Sequence, residues 1–373
     1  MRIALIITEL NPGGAEKCFT NLACFLKQAG HSVAVWQLGP PPREPKKILT
    51  RQLEQHGIAW HSGSARHAWH FPQTVHWLRS EMKAFRPEVV QSFLFHANLA
   101  AVLASGSLPC RRFGGARVRQ PEPWRQWLQR WAAGRMEKLI CVSNSVADHC
   151  HLREKIARDR LLVIPNGIAL PQSSEPPPSW QQFGLPAGAP VLLFVGRLTA
   201  QKGIREFLQR CAAELLAQLP GHHLVLMGDG ELAPALEKIR HRCAAGGRIH
   251  LIGWQDTPQR WIRASELLLL PARYEGMPNA LLEAMAVAKP LVSFDVDGVR
   301  ELLGEGAAAE AQIAPAQDFA ALTRTLVALA SAPRQLQQCG QHNRRRIEQH
   351  FQLQQQLERY LHAYVQPGSS SGT

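Results

Sequence analysis

The stretch Leu267-Leu-Leu-Leu-Pro-Ala-Arg-Tyr-Glu275-Gly-Met-Pro-Asn-Ala-Leu-Leu-Glu283-Ala-Met-Ala286 decides how the rest of the chain is read. Its four leucines form a short apolar run of the kind a buried strand needs. Pro278 falls at or near the first helical position, where a missing N–H costs nothing. The helix has to stop before Pro290. A strand therefore runs through a loop into a helix N-terminus, where open backbone N–H groups and the positive end of the dipole suit an anion. Glu275 lies in the approach loop and Glu283 about one turn into the helix, between Ala280 and Ala284, which are small enough for a ligand to come close. A phosphate would sit on the N–H groups while the carboxylates accept hydrogen bonds from hydroxyls, a combination that describes a nucleotide sugar. The same residues also read as a solvated amphipathic helix with two surface glutamates, and the stretch alone does not choose between the two.

Working outward, the strand-loop-helix unit recurs. Strand-like runs occur at Ile3–Ile7, Ser32–Trp36, Val89–Phe93, Leu139–Val142 and Leu161–Ile164, and again at Val191–Val195, His223–Met227, Ile249–Ile252, Leu267–Leu270 and Leu291–Phe294, with helical patterns between them. Regular alternation implies α/β architecture, parallel sheets covered by helices on both faces. The segment Pro171-Gln-Ser-Ser-Glu-Pro-Pro-Pro-Ser179, continuing to about Pro190, breaks every periodic pattern and marks a boundary. The expected organisation is a first domain over 1–170, a linker over 171–189, a second domain over 190–350, a terminal helix over 351–366 and a disordered tail over 367–373.

Three further strand ends carry chemistry. Asn11-Pro-Gly13-Gly14-Ala-Glu-Lys17 is glycine-rich and opens a helix, but it is not the GxGxxG of dinucleotide sites. Gln91-Ser-Phe-Leu-Phe-His96-Ala-Asn98 ends a strand at the edge where such sheets bind ligands. His96 there suits a hydroxyl or sugar oxygen, and a structural histidine suits the position as well. Gly196-Arg197-Leu-Thr-Ala-Gln-Lys202-Gly203 places two cations between glycines that permit close backbone approach.

A net charge of +13 and a pI near 9.8 favour acidic partners: phosphates or anionic lipid. Eight scattered cysteines without a CxxC pair read as reduced thiols, not as a disulfide or zinc framework. Asp148-His-Cys-His151 lacks the second half that a metal site requires. No run reaches the roughly 18 apolar residues of a membrane span. Trp124, Trp127 and Trp131 share one helix face among Arg119, Arg125, Arg130, Arg135 and Lys138. Such a face fits a membrane interface, and it fits equally a core-facing aromatic stripe with a solvated basic side. Nucleic-acid binding would explain the charge but not two alternating domains with motifs at the strand ends.

Taken together, Gly13-Gly-Ala-Glu-Lys17, Pro165-Asn-Gly-Ile168, Gly196-Arg-Leu with Lys202-Gly203, Gly228-Asp-Gly230 and the Glu275–Glu283 pair resemble glycosyltransferase family 4 over nearly the whole chain. The resemblance implies the GT-B fold: two Rossmann-like doubly wound domains facing across a cleft, with a C-terminal helix returning to the first. It implies sugar transfer from a nucleotide sugar with retention, with no cofactor and no metal. Arg197 and Lys202 would hold the diphosphate, Glu283 the ribose hydroxyls, and Glu275 with the backbone of Gly276, Met277, Asn279, Ala280 and Leu281 the donor sugar and phosphate. His96 would lie near the reacting carbon, and Gly13 and Gly14 would shape the loop over donor and acceptor. Asp295-Val-Asp297 looks like the metal-binding Asp-x-Asp of another class of transferase, but two acids make a poor cage. Met277 stands where many relatives have phenylalanine, and Lys17 where many have arginine. The expected partners are a nucleotide sugar, with a UDP-hexose or UDP-N-acetylhexosamine favoured, a lipid-linked or other glycan acceptor, and an anionic membrane surface, with the protein cytoplasmic and peripheral at the inner membrane face. The rivals are an inactive relative that binds a nucleotide or lipid, and a nicotinamide-dependent dehydrogenase, which lacks its phosphate fingerprint here.

Overall fold

The structure is a computed structural model describing residues 1–63, 65–171 and 176–366. The tail 367–373 and the serine-rich centre of the expected linker, 172–175, lie outside the described residues. The chain divides into two compact units, Met1–Asn166 with the C-terminal residues from Gln354, and Gly167–Leu353.

The first unit is a seven-stranded parallel sheet of β1 (Arg2–Ile7), β2 (Ser32–Gln37), β3 (Ala59–Ser62), β4 (Val89–Phe93), β5 (Arg111–Ala116), β6 (Lys138–Cys141) and β7 (Leu161–Val163). They lie in the order β3-β2-β1-β4-β5-β6-β7. β1 and β4 run in register from Ile3 against Val89 to Ile7 against Phe93. The chain winds outward from β1 on one side and then from β4 on the other, so the switch point lies between these two strands. Both are buried on either face, which is why they read as unbroken apolar runs. The helix Leu353–Val365 completes this unit. Tyr364 is buried and its hydroxyl donates to Gln91 Oε1 at 2.8 Å, while Arg111 bridges Glu137 and the Tyr364 carbonyl.

The second unit is a six-stranded parallel sheet of β8 (Val191–Val195), β9 (His223–Met227), β10 (Ile249–Gly253), β11 (Leu267–Leu270), β12 (Leu291–Phe294) and β13 (Ile313–Ala314). Its order is β10-β9-β8-β11-β12-β13, with the switch point between β8 and β11. All four leucines of β11 are fully buried. Residues 176–189, expected as part of the linker, belong to this unit. Trp180 is buried against Trp261, and its indole N–H donates to the Ala264 carbonyl at 3.0 Å. Aromatic burial holds a proline-rich segment that has no periodicity of its own.

Three strands escaped the sequence reading: β3, β5 and the two-residue β13. β5 is Arg-Arg-Phe-Gly-Gly-Ala, poor in the branched residues that signal strands. Its glycines answer to packing, since a Cβ at Gly114 would lie 2.5 Å from Met136 Sδ. The structure also settles the tryptophan face. The helix Pro123–Ala133 buries Gln129, Ala132 and Ala133, whereas Trp124 and Trp127 are 55% and 64% exposed. The core-facing alternative is set aside for both.

Candidate active site

In the second unit the loops leaving β8 and β11 meet at the switch point. After β8 the chain passes Gly196 and Arg197 and makes a short 3-10 turn, Ala200–Lys202. Gly203 then adopts φ +66°, and a Cβ there would lie 2.0 Å from the Pro271 carbonyl oxygen. Only glycine lets the two loops approach this closely. Two hydrogen bonds join them, from Arg273 N–H to the Gln201 carbonyl at 2.9 Å and from Gln201 Nε2 to the Tyr274 carbonyl at 3.0 Å. Lys202 reaches along the Gly196 turn, and its Nζ pairs with Glu275 Oε1 at 2.5 Å. The β9 loop is locked to the same turn: Gly228 has φ +147°, and a Cβ there would meet the Gly196 carbonyl oxygen at 1.9 Å.

The helix that follows β11 spans Asn279–Ala286, with Pro278 as its N-cap, one residue before the first helical position. Glu275 and Glu283 are both buried, at 6% and 7% exposure, so the surface-helix reading fails for both carboxylates. Met277 is buried, whereas Asn279 and Ala280 are half-buried at the helix N-terminus. Leu281 is fully buried and its N–H donates to the Pro278 carbonyl, so its place is in the helix packing. Arg197 is exposed. The sequence expectation gave Lys202 and Glu275 separate ligand groups; the structure makes them one ion-paired unit.

In the first unit the β1 and β4 loops carry the other candidates. Gly13 caps the helix Gly14–Gln28 in extended backbone, and a Cβ there would lie 2.4 Å from Glu16 Oε2. Glu16 itself is buried, a carboxylate in the first helical turn that sequence reasoning did not single out. His96 is in the first turn of the helix Phe95–Ser105, which Leu94 enters at φ +76°. Positive φ at a leucine is strained backbone, which persists where the surrounding structure over-determines it. Here Asn98 supplies that constraint: its Oδ1 accepts from Ser92 Oγ at 2.7 Å and from Gly115 N–H at 3.1 Å, and its Nδ2 donates to Gln129 Oε1 at 3.4 Å. Nothing in the spacing distinguished Asn98 as the residue that fixes the His96 helix.

His96 is an exposed residue, yet the surrounding protein desolvates its ring and the Arg125 charge adds to the effect, so its pKa is lowered. Between the folded and unfolded values the unfolded state binds more protons. This group therefore leaves stability unchanged above the ordinary imidazole range near 6.5 and costs stability as pH falls below it. His96 is neutral at pH 7 and able to accept a proton or a hydroxyl hydrogen bond. We expect NMR titration of the ring to give a pKa below the free-imidazole value, and Arg125→Gln to raise it. A wild-type value above the free-imidazole range would contradict this.

Two further sequence motifs hold charge partners of their own. Asp295 pairs with Arg300 at 2.8 Å. Asp148 pairs with Arg158, and His151 Nδ1 meets the Ile156 carbonyl at 3.0 Å.

Two Rossmann-like parallel sheets, each with candidate ligand groups at its switch point, define a protein of the GT-B class. The family model "Glycosyltransferase Family 4" matches residues 12–171, and "Glycosyl transferases group 1" matches residues 189–332. The chain belongs to glycosyltransferase family 4, group 1. It is 27% identical over 196 residues to alpha-D-kanosaminyltransferase of Streptomyces kanamyceticus, covering 50% of each chain. It is 30% identical over 181 residues to UDP-Gal:alpha-D-GlcNAc-diphosphoundecaprenol alpha-1,3-galactosyltransferase of Escherichia coli, covering 46% of each. The match thus spans about half the length of these curated relatives. Among solved structures, Anabaena Alr3699/HepE in complex with UDP-glucose superposes with a TM-score of 0.81 over 97% of this chain and 100% of that one, at 19% identity.

Proposed function

We propose that this protein is a retaining glycosyltransferase that moves a hexose or N-acetylhexosamine from a UDP-linked donor to a growing surface glycan on a lipid carrier. The observation that carries the reading is the Lys202–Glu275 pair at the β8/β11 switch point, one loop away from the N-terminus of the Asn279–Ala286 helix. Breaking a glycosyl–phosphate bond builds negative charge on the leaving diphosphate and positive charge on the sugar. Lys202, Arg197 and the helix N-terminus stabilise the first, and preorganised groups of this kind act more strongly in the transition state than in the ground state. Glu275 orients Lys202 and faces the sugar, Glu283 takes the ribose hydroxyls, and Met277 shapes the sugar pocket. Gly13 and Gly14 shape the loop over donor phosphate and acceptor, and His96 serves the reacting carbon. With cations and helix dipole compensating the leaving group, the reading is metal-independent. The relatives' names support the substrate classes: one bears UDP-Gal and a diphosphoundecaprenol acceptor in its name, and one solved structure holds UDP-glucose. A lipid-borne acceptor also brings the enzyme to the inner face of the cytoplasmic membrane.

A thermal-shift screen of nucleotide sugars, followed by mass spectrometry of products on lipid-linked oligosaccharide, tests the reading. Stabilisation by UDP and by one UDP-sugar, with a mass gain of one hexose or N-acetylhexosamine on the acceptor, is the expected result. UDP binding with neither transfer nor donor hydrolysis would leave a nucleotide-binding relative instead. Within this scheme Glu283→Ala weakens UDP binding by about 10- to 100-fold, because hydrogen bonds to a charged acceptor are each worth about 1.5–3 kcal/mol. Calorimetry with UDP reads this directly, and unchanged affinity would remove Glu283 from the ribose site.

A further inference from the structure

The helix Pro123–Ala133 is built inside out. At 100° per residue, Trp124, Trp127, Leu128 and Trp131 form one stripe, while Gln129, Ala132 and Ala133 form another on a different side. In a helix that serves only to cover a core, the large apolar stripe faces inward. Here the small and polar stripe does: Gln129, Ala132 and Ala133 are buried, and Gln129 Oε1 accepts from Asn98 Nδ2 at 3.4 Å. Trp124 and Trp127 point out at 55% and 64% exposure, and Leu128 and Trp131 are half-exposed beside them. The stripe is rimmed by cations. The helix and its flanks carry Arg119, Arg125, Arg130 and Arg135 against the carboxylate of Glu122, while Lys138 donates to the Asp159 carbonyl and Glu137 is held by Arg111. The Arg135 guanidinium lies 4.3 Å from the centre of the Trp131 ring and the Arg125 guanidinium 5.2 Å from that of Trp124.

We propose that this outward face is a docking surface for an anionic lipid membrane, and that docking brings His96 to the lipid–water boundary. It rests on the reading that the acceptor is carried by lipid. Exposed indoles with basic side chains at their margin match the two layers of such a surface: the rings enter the headgroup and acyl boundary and the guanidinium groups remain with the phosphates. The anionic surface is the complement of the rim charge, and each basic side chain near it adds about fivefold in affinity. The link to the candidate site is direct. Trp124 stacks edge-on against Phe95 at 5.9 Å between ring centres, and Phe95 stacks on His96 at 5.2 Å. A lipid-anchored acceptor would therefore present its sugar within a few side chains of the ring proposed to meet it. Among the described residues no helix is long and apolar enough to cross a membrane.

The test is co-sedimentation of the full chain with phosphatidylethanolamine vesicles containing or lacking phosphatidylglycerol, at low and high salt, with UDP binding measured on each protein in parallel. Wild type should bind the anionic vesicles, bind the neutral ones weakly, and release as salt shortens the screening length. Trp124→Ser with Trp127→Ser should lose about tenfold or more of vesicle affinity, while UDP affinity stays at the wild-type value and thermal stability falls only by the loss of the Trp124–Phe95 contact. Arg130→Gln, at an exposed position, should lose a smaller factor and only on anionic vesicles, and it serves as the independent check if the double variant fails to fold. Absence of wild-type binding at low salt, or undiminished binding by these variants, overturns the proposal. So does self-association that the double variant abolishes, since a second copy would then be the occupant. Vesicle binding without UDP binding would leave the docking surface standing and sink the transferase reading; UDP binding without vesicle binding would do the reverse.

Discussion

Lys202→Ala should lower kcat by about 10²- to 10³-fold, the effect of removing one preorganised transition-state donor, and raise donor KM much less. The loss has two parts. One is the missing cation beside a leaving diphosphate. The other is the carboxylate left behind: Glu275 is 6% exposed, and without Lys202 it repels the charge that has to build next to it. The same orphaning lowers thermal stability by roughly 2–3 kcal/mol, below the usual figure for fully buried pairs because Lys202 keeps partial access to water. Glu275→Gln added to Lys202→Ala removes the repulsion, so the double variant should be more stable than Lys202→Ala alone, a non-additivity of about 0.5–3 kcal/mol. Single-turnover kinetics and thermal melts on the four proteins of this cycle read both parts. A Lys202→Ala enzyme with near wild-type turnover would remove Lys202 from the chemistry, and strict additivity would deny the pair.

Gly203→Ala is expected to destabilise the second unit strongly, because one methyl there meets both a backbone clash and left-handed backbone. Left-handed backbone alone costs a non-glycine residue about 1–2 kcal/mol. At Gly203 the new methyl would also lie 2.0 Å from the Pro271 carbonyl, and that backbone cannot swing away without breaking the hydrogen bonds from Arg273 and Gln201. The total should reach about 3–5 kcal/mol, in the range reserved for overpacking combined with backbone strain. Activity should fall with it, since the same shift displaces Lys202. Gly184→Ala is the control. It has φ +79° but nothing within 4 Å of a Cβ, so it should show the conformational cost alone. Equal melting temperatures for the two variants would show that the close contact is not what holds the loops together.

Much of this protein was legible in its sequence, and the reason is the nature of parallel sheets. Strands buried on both faces have to be apolar throughout, so β1, β4, β8 and β11 stand out as short unbroken runs. Ligand chemistry in such folds gathers at strand ends next to helix N-termini, so position in the chain made Gly13, His96, Lys202 and Glu275 candidates. Residue type and local order sufficed for two alternating α/β units and a terminal helix, while the return of that helix to the first unit was implied only by the family resemblance. Where local pattern and packing diverge, only the tertiary structure decided. β5 packs as a strand because Gly114 leaves room for Met136 and Gly115 for Ser92 and Phe93, and residues 176–189 are held because Trp180 finds Trp261, contacts that no periodicity encodes. The partnership of Lys202 with Glu275 joins residues 73 positions apart. The direction of the tryptophan stripe was undetermined for the same reason: a helix sequence fixes which residues share a face, but Gln129 meeting Asn98, and thereby turning Trp124 and Trp127 outward, depends on what the rest of the chain places beside it.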